Sequence, residues 1–194
     1  MHESLIAYIT SHSTTPLSEG DIELIEESFV PKTLRKRQYF LQEGQVCSYS
    51  GFIVKGAMRQ YSVDDKGTEH IIGLSIENWW AVDRESYTML TPSKYNIDAW
   101  EESDLLVVTK ADFFSRLSSI PAFGELMRKL DDHHASALLR RLNSSISYSA
   151  EKRYWELANT YPEFLQRFPQ HIIASYLGIT KETLSRIRHH AIKG

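Results

Sequence analysis

Cysteine and long apolar stretches are almost absent from the sequence. Cys47 is the single cysteine in 194 residues, so the chain cannot form an internal disulfide, and one thiolate cannot by itself hold an iron–sulfur cluster. No apolar run approaches the ~18 residues of a membrane span, and the acidic, polar N-terminus lacks the basic flank and hydrophobic stretch of a secretion signal. We therefore expect a cytoplasmic protein that makes no membrane contact.

Histidine is scarce where a metalloenzyme would need it. Between residues 32 and 109 the only histidine is His70, whereas a cupin-like enzyme barrel would need a cluster such as two His and one Glu on adjoining strands. The run Asp131-Asp132-His133-His134 has metal-binding side chains, but neighbours on a helix point about 100° apart and do not converge on one ion. The sequence thus predicts no catalytic residue, no metal site and no cofactor.

Short β-prone runs separated by turn residues fill the segment from residue 32 to residue 109. Runs at 38–41, 50–54, 58–63 and 69–74 recur about every ten residues, which is the spacing of an antiparallel sandwich or barrel. Asp65-Lys66-Gly67 is a hairpin signal between two of these runs. Helical patterns precede the segment, and the second of them has Ser18 as its expected N-cap. We predict an α+β protein with an antiparallel β-domain in its first half.

A long amphipathic helix is predicted from Pro121 to about residue 145. Phe123, Leu130 and Ala137 recur at intervals of seven. A helix of some 25 residues is about 37 Å long at 1.5 Å per residue, which is more than one small domain can cover. Part of the apolar stripe is expected to pack on the β-domain and the rest to pair with a second copy of the chain. The residues predicted to form this dimer interface are Phe123, Leu126, Met127, Leu130, His134, Ala137 and Arg141.

The last quarter of the chain has the pattern of a helix-turn-helix. Ala174 supplies the small residue that two closely crossing helices need, and Gly178 can adopt the positive φ that ends the first helix. Thr180 can cap the second helix, whose Leu184 and Ile187 would face inward. The outer face then carries Lys181, Glu182, Ser185, Arg186 and His189, side chains that can hydrogen-bond base edges.

Positive charge is concentrated in this same segment. Residues 146–194 contain seven Lys and Arg against four Asp and Glu, a net charge of +3, whereas residues 1–145 contain 15 against 21, a net charge of −6. A chain of total charge −3 has therefore placed its basic residues where the phosphates of a nucleic acid would attract them. The distribution favours DNA binding over an ordinary helical hairpin.

Two stretches of the chain match a pair of signatures that occur together in one family. They are Phe40-x3-Gly44 followed by Tyr49-x-Gly51-Phe52-Ile53-Val54-Lys55-Gly56-Ala57-Met58-Arg59, and Thr180-Lys181-Glu182-Thr183-Leu184-Ser185-Arg186. In this order they resemble the β-roll and recognition-helix signatures of the Crp/Fnr transcription regulators, and the resemblance covers nearly the whole chain.

The resemblance implies a fold and a division into domains. It implies a β-roll, a double-stranded β-helix of the cyclic-nucleotide-binding kind, in residues 1–120, a dimerisation helix in 121–146 and a helix-turn-helix domain in 147–194. Since only residues 165–169 separate the preceding helix from the helix-turn-helix, the small β-wing common in the family is expected to be reduced.

The resemblance also assigns DNA contacts to the second helix of the motif. The Arg186 guanidinium fits O6 and N7 of guanine, and the Glu182 carboxylate can accept from a cytosine amine. Lys181 stands where the family usually has Arg, and a single ammonium loses the bidentate geometry. Threonine hydroxyls and helix N-terminal amides are expected to hold phosphates. The predicted DNA-binding residues are Thr180, Lys181, Glu182, Thr183, Ser185, Arg186 and His189.

The effector pocket of the family is altered in this sequence. The family pairs a Gly-Glu with an Arg ten residues after the Glu to bind a cyclic phosphate, and the corresponding positions here hold Val82, Asp83 and Ser93. A phosphate needs a positive partner, and Lys94 is the nearby candidate. Cyclic AMP binding in the family's usual way is therefore not expected. The residues that could line a pocket for another ligand are Trp79, Trp80, Asp83, Tyr87, Ser93 and Lys94, although the aromatic rings among them are better suited to filling a core beneath the β-roll.

The sequence thus predicts a transcription regulator that binds double-stranded DNA as a homodimer on a pseudo-palindromic site. The resemblance further implies contact with RNA polymerase and leaves open a small-molecule effector of unknown identity. The alternative function is a non-catalytic sensor or scaffold that uses its terminal helices for protein contacts.

Overall fold

The structure is a computed structural model that describes residues 1–191, with side chains described as far as His189. Two helices open the chain, α1 (His2–His12) and α2 (Glu19–Ser28). The hydroxyl of Ser18 accepts from the amide of Asp21, and the Asp21 carboxylate accepts from the amide of Ser18. This reciprocal pair satisfies two backbone donors that a helix start leaves free, and it bears out Ser18 as the N-cap of α2.

Among residues 1–191, eight strands form two antiparallel four-stranded sheets. The first sheet has the order β1-β8-β3-β6 and the second the order β2-β7-β4-β5. The strands are β1 (Val30–Leu34), β2 (Tyr39–Leu41), β3 (Tyr49–Lys55), β4 (Met58–Val63), β5 (Glu69–Ser75), β6 (Trp80–Ala81), β7 (Asn96–Ala99) and β8 (Ser103–Thr109). A short helix, α3 (Arg84–Met89), lies between β6 and β7. The predicted antiparallel β-roll is confirmed, and the four β-prone runs of the sequence are β2 to β5.

Apolar side chains from both sheets fill the interior of the β-roll. They include Leu34, Ile53, Met58, Ile97 and Leu105, all of them buried. Cys47 lies in the same cluster, where its thiol donates to the carbonyl of Tyr49 at 3.3 Å, and burial raises the pKa of this thiol. The single cysteine is thus a small packing residue of the roll.

The second half of the described chain is helical. It comprises α4 (Lys110–Ser115), α5 (Pro121–Ser147), α6 (Ala150–Thr160), α7 (Pro162–Arg167), α8 (Gln170–Leu177) and α9 (Lys181–Ala191). Proline at the first position of α5 and of α7 suits a helix start, because an amide there would have no intrahelical acceptor. From residue 148 to residue 191 the chain contains no strand, so these residues form no β-wing, the element that was expected to be reduced. Among the described residues no helix is both long enough and apolar enough to cross a membrane.

The C-terminal helices share one apolar core with the outer side of the β-roll. Tyr61, Ile71 and Trp100 of the roll belong to the same buried cluster as Phe164 of α7 and Ile172 of α8. Burial of these apolar side chains therefore stabilises the packing of the C-terminal helices against the β-roll.

Candidate DNA-binding surface

The turn between α8 and α9 has the geometry that the sequence pattern requires. Gly178 ends α8 at φ 65° and ψ 37°, a left-handed conformation that costs glycine little. The amide of Ile179 then donates to the carbonyl of Ala174 at 3.0 Å. Thr180 caps α9, since its hydroxyl accepts from the amide of Thr183 at 3.2 Å.

The two faces of α9 differ as the 3.6-residue period predicts. Leu184 and Ile187 are 1% and 8% exposed and pack in the shared core with Ala174. Of the seven predicted DNA-binding residues, six are exposed and Thr183 is half-buried. The structure therefore brings six of the seven to the outer side of one helix and its cap, and places Thr183 at the edge of that side, next to Ile187.

Glu182 and Arg186 lie one turn apart on this outer side. The position of Glu182 at the start of α9 lowers the pKa of its carboxyl through its own backbone amide, the Thr180 hydroxyl and the Lys181 ammonium. Among the side chains that the structure describes, Arg186 makes one hydrogen bond, a long one of 3.4 Å to the Thr183 hydroxyl. A carboxylate acceptor and a guanidinium donor are thus presented side by side.

Contacts with the β-roll hold this surface in place. Arg167 of α7 pairs with Glu101 at 2.6 Å and with Glu77, and its carbonyl accepts from the Trp100 indole at 3.2 Å. The Ser175 hydroxyl of α8 lies 3.0 Å from the amide of Ile71 and 3.2 Å from a carbonyl of β5. Sequence reasoning missed these positioning residues, because each contact joins segments that are far apart in the chain.

Arg141 has a different role from the one predicted for it. Its guanidinium donates to the carbonyls of Ile71, Ile72 and Tyr176 and lies 4.2 Å from the centre of the Tyr176 ring. The prediction that Arg141 faces a dimer partner is corrected, since the side chain instead joins α5, β5 and α8 within one chain.

The predicted dimer residues on the first half of α5 also face their own chain. Phe123 and Leu126 are 1% and 0% exposed and pack among residues of α1, α2 and β3, so neither is free to make the dimer contact predicted for it. Met127 and Leu130 are partly buried against the same cluster. The physical reason is that Phe123, Leu126 and Leu130 lie on the part of α5 that packs into the protomer's own core. His134 and Ala137 are exposed, and a dimer role for them stays a prediction.

An uncovered apolar stripe lies on another side of α5. Every residue from 131 to 140 is exposed, and Ile146 is 76% exposed. At about 100° per residue, Leu142 lies about 100° from Phe123 and about 160° from Leu126 around the helix. The stripe consists of Ala135, Leu138, Leu139, Leu142 and Ile146.

The candidate effector residues do not converge on a single pocket. The Ser93 hydroxyl donates to the Asp83 carboxylate at 2.6 Å, both residues are buried, and the carboxylate also accepts from the amide of Ser86 at the start of α3. Trp79 packs on Tyr161 and Phe164, at ring distances of 5.3 and 5.7 Å.

The remaining candidate effector residues are dispersed. Trp80 packs on Phe52 and Phe29 in a different cluster. Tyr87 is buried in the interior of the roll, and Lys94 is exposed. The two tryptophans pack against the apolar clusters, as is expected of core-filling residues, and an effector role for the six candidate residues stays a prediction.

No metal cluster is present within the part of the chain that the structure describes, as no three His, Cys, Asp or Glu side chains lie close enough to hold an ion. In the tract 131–134, Asp131 pairs with Arg84 of α3. Partial desolvation of the His134 ring, which is still exposed to solvent, and the charge of Arg84 lower the pKa of His134.

Comparison with known structures identifies the architecture. FixK2 from Bradyrhizobium japonicum is 18% identical, with a TM-score of 0.67 over 85% of each chain. The c-di-GMP-responsive global regulator CLP of Xanthomonas campestris is 13% identical, with a TM-score of 0.68 over 91% of this chain and 92% of that one. A Eubacterium rectale protein assigned to the Crp/Fnr family of transcriptional regulators is 16% identical, with a TM-score of 0.65 over 92% and 85%.

The chain has the fold of the Crp/Fnr regulators. At identities of 13 to 18% the similarity establishes the fold and not the ligand or target. No protein-family model matches the sequence, and no curated protein matches it as a relative. The CLP protein and the Eubacterium rectale protein are described as regulators, and the chemistry of this chain must be argued from its own side chains.

Proposed function

We propose that the protein is a sequence-specific transcription regulator that binds double-stranded DNA as a homodimer. The observation that carries the proposal is the presentation of Glu182 and Arg186, one turn apart, on the exposed side of a capped α9. The Crp/Fnr fold supports it, because the helix-turn-helix of that fold is a major-groove module.

Each exposed group of α9 has a matching partner on DNA. The guanidinium of Arg186 can donate two parallel hydrogen bonds to guanine, and the ionised Glu182 can accept from a cytosine amine. Lys181 is a single donor for guanine or phosphate. The Thr180 hydroxyl and the first amides of α9 suit phosphate oxygens, which fix the register without reading sequence.

The uncovered stripe on α5 is the proposed dimer seam. Exposed leucines and isoleucine in a row are costly in water, and a second copy of the same stripe would cover them. The seam extends to Ile146, close to the start of α6, and α6 packs on α9 in the shared core, so the seam sets the separation of the two α9 helices. Two-fold pairing would place these helices in successive major grooves, on half-sites about one helical turn, roughly 34–36 Å, apart.

This protein is not expected to bind a cyclic phosphate in the way that is usual for the family. The buried Asp83 carboxylate caps α3, and a phosphate at this place would meet a negative charge with no buried cation beside it among the described residues. Any effector would be of another chemical class. At promoters, RNA polymerase is the expected partner of a regulator of this kind.

The experiment that tests the function is selection of bound sites from a random-sequence duplex library, followed by titration of the selected site over a range of salt concentrations. A pseudo-palindromic site with a steep negative slope of log affinity against log salt is the expected result. Enrichment of no sequence, together with binding that salt does not weaken, would reject the proposal in favour of a scaffold that uses its terminal helices for protein contacts.

A further inference from the structure

A basic loop of the β-roll lies beside the helix-turn-helix. Arg35, Lys36 and Arg37 connect β1 to β2, are all exposed, and line an open depression together with Thr33 and Gln38. Within the described residues, none of the three has a carboxylate within 4.0 Å. Three adjacent unneutralised cations are conspicuous in a segment, residues 1–145, whose net charge is −6.

The backbone of this loop is held rigidly. The side-chain oxygen of Gln38 accepts from the amide of Arg35 at 2.9 Å, and the amide of Arg37 donates to the carbonyl of Ala99 at 2.7 Å. Arg37 adopts φ 68°, which turns the chain sharply. A loop fixed in this way loses little conformational entropy when its side chains bind a partner.

Trp100 connects the basic loop to the helix-turn-helix. The Arg37 guanidinium lies 4.4 Å and the Lys36 ammonium 5.7 Å from the centre of the Trp100 ring. The same ring lies 6.2 Å from that of His171 at the start of α8, and its indole nitrogen donates to the carbonyl of Arg167. The loop is therefore seated against the first helix of the motif by one buried aromatic residue.

The loop and α9 contribute to one positive region. His171 is within the electrostatic reach of Arg37, Arg59 and Lys181, all of which disfavour its protonation, and Glu69 is the carboxylate that opposes them. Arg59 is itself paired with Glu69 and Asp98, so it adds no net positive charge. The cations near His171 that have no carboxylate within 4.0 Å among the described residues are Arg37 of the loop and Lys181 at the start of α9.

We propose that the loop 35–37 binds the phosphate backbone of DNA that flanks the base pairs read by α9. This inference rests on the proposed function and deepens it, because it gives the β-roll a direct part in DNA binding. Phosphate contacts need cations that are exposed, unpaired and held in place, and the loop meets each condition. The described helix-turn-helix has no β-wing and therefore offers few contacts to the DNA backbone. The loop would add to those contacts.

The test compares two duplexes that carry the site selected by the wild-type protein. One is trimmed to the site, and the other is extended by about one helical turn, about 10 base pairs, on each side. The variant is Arg35→Glu with Lys36→Glu, which spares Arg37 and its packing on Trp100. The matched control is Arg128→Glu with Lys129→Glu, an exposed Arg-Lys pair on the first half of α5, where Lys129 bonds a carbonyl of α1.

We expect the wild-type and control proteins to bind the extended duplex more tightly than the trimmed one. The loop variant should bind the trimmed duplex normally, lose roughly tenfold in affinity for the extended one, and show a salt slope smaller by about 1 for each phosphate that it no longer binds. A loop variant that keeps the full advantage of the extended duplex overturns the inference, and so does equal weakening on both duplexes. If the wild-type protein selects no site, the proposed function fails and the inference fails with it.

Discussion

The hydroxyl of Ser93 donates a 2.6 Å hydrogen bond to the carboxylate of Asp83, and both residues are buried. These are the two positions at which the Crp/Fnr resemblance implies a phosphate-binding Arg and a Glu. The carboxylate also accepts from the amide of Ser86, so an acid already occupies the start of α3, where amides would otherwise be free for an anion.

Cyclic AMP is accordingly expected to leave the stability of the protein unchanged. A ligand at a hundred times its Kd stabilises the folded state by about 2.7 kcal/mol, which a thermal-shift titration detects easily. Linear adenosine monophosphate serves as the control for nonspecific effects. A saturable rise in Tm with the cyclic nucleotide alone would contradict this prediction.

Arg186→Ala is expected to weaken binding to the selected site by about 1–3 kcal/mol, because alanine cannot donate the two hydrogen bonds to guanine. Arg186→Lys keeps the charge but not the fork of donors, so it should retain nonspecific affinity and lose most of the discrimination. Titrations of the selected and a scrambled duplex at one salt concentration measure both effects. Unchanged discrimination in both variants would show that Arg186 does not read the site.

Leu142→Asp should convert the dimer to a folded monomer and lower DNA affinity, because a charge in the centre of the apolar seam cannot be desolvated. Phe114→Asp is a suitable control, since Phe114 is also an exposed apolar residue, at 51%, but lies on α4. Sedimentation velocity and circular dichroism follow the assembly and the fold. A dimer that survives Leu142→Asp would place the seam elsewhere.

Phe123→Ala tests whether this ring belongs to the protomer's own core. Introduced into the Leu142→Asp monomer, it should lower the free energy of unfolding by about 3–5 kcal/mol, the usual cost of deleting a buried phenylalanine ring. Urea unfolding measures the difference. A loss below about 1 kcal/mol would mean that Phe123 contributes mainly to a contact between protomers.

His171 is expected to take up a proton when DNA binds. Burial, together with the positive charges of Arg37, Arg59 and Lys181, lowers its pKa in the free protein, against the opposing charge of Glu69. In the unfolded chain the pKa is about 6.5, so the folded state has its full stability above that pH and loses some as the pH falls towards the lowered value. Phosphates brought close by DNA would raise the pKa again.

Duplex affinity should therefore increase as the pH falls through this window. An NMR titration of the His171 ring, assigned with His171→Gln, gives the pKa with and without the selected duplex. His189→Gln, at the exposed side of α9, separates the contribution of the second histidine. A His171 pKa that DNA leaves unchanged would indicate that phosphates do not approach the start of α8.

The turns, helix caps and helix faces that depend on a few consecutive residues were determined by the sequence itself. The turn at Gly178, the caps at Ser18 and Thr180 and the inward Leu184 and Ile187 follow from backbone conformation and helical period, which a few consecutive residues specify. The alternation of strands and turns between residues 32 and 109 predicts an antiparallel sandwich or barrel for the same reason, and the resemblance to the Crp/Fnr regulators specified it as a β-roll. Local chemistry was therefore enough to predict an antiparallel β-domain and the exposed side of α9.

Only the tertiary structure decided which of several equivalent surfaces is covered. On α5, the stripe through Phe123 and the stripe through Leu142 are both apolar, and the packing of α1 and β3 selects the first for the protomer's core. Likewise, the basic loop 35–37 becomes part of a surface with α9 only because Trp100 and His171 meet, 71 residues apart in the chain. Such contacts arise from the closing of long chain segments around a shared core, and no local pattern encodes them.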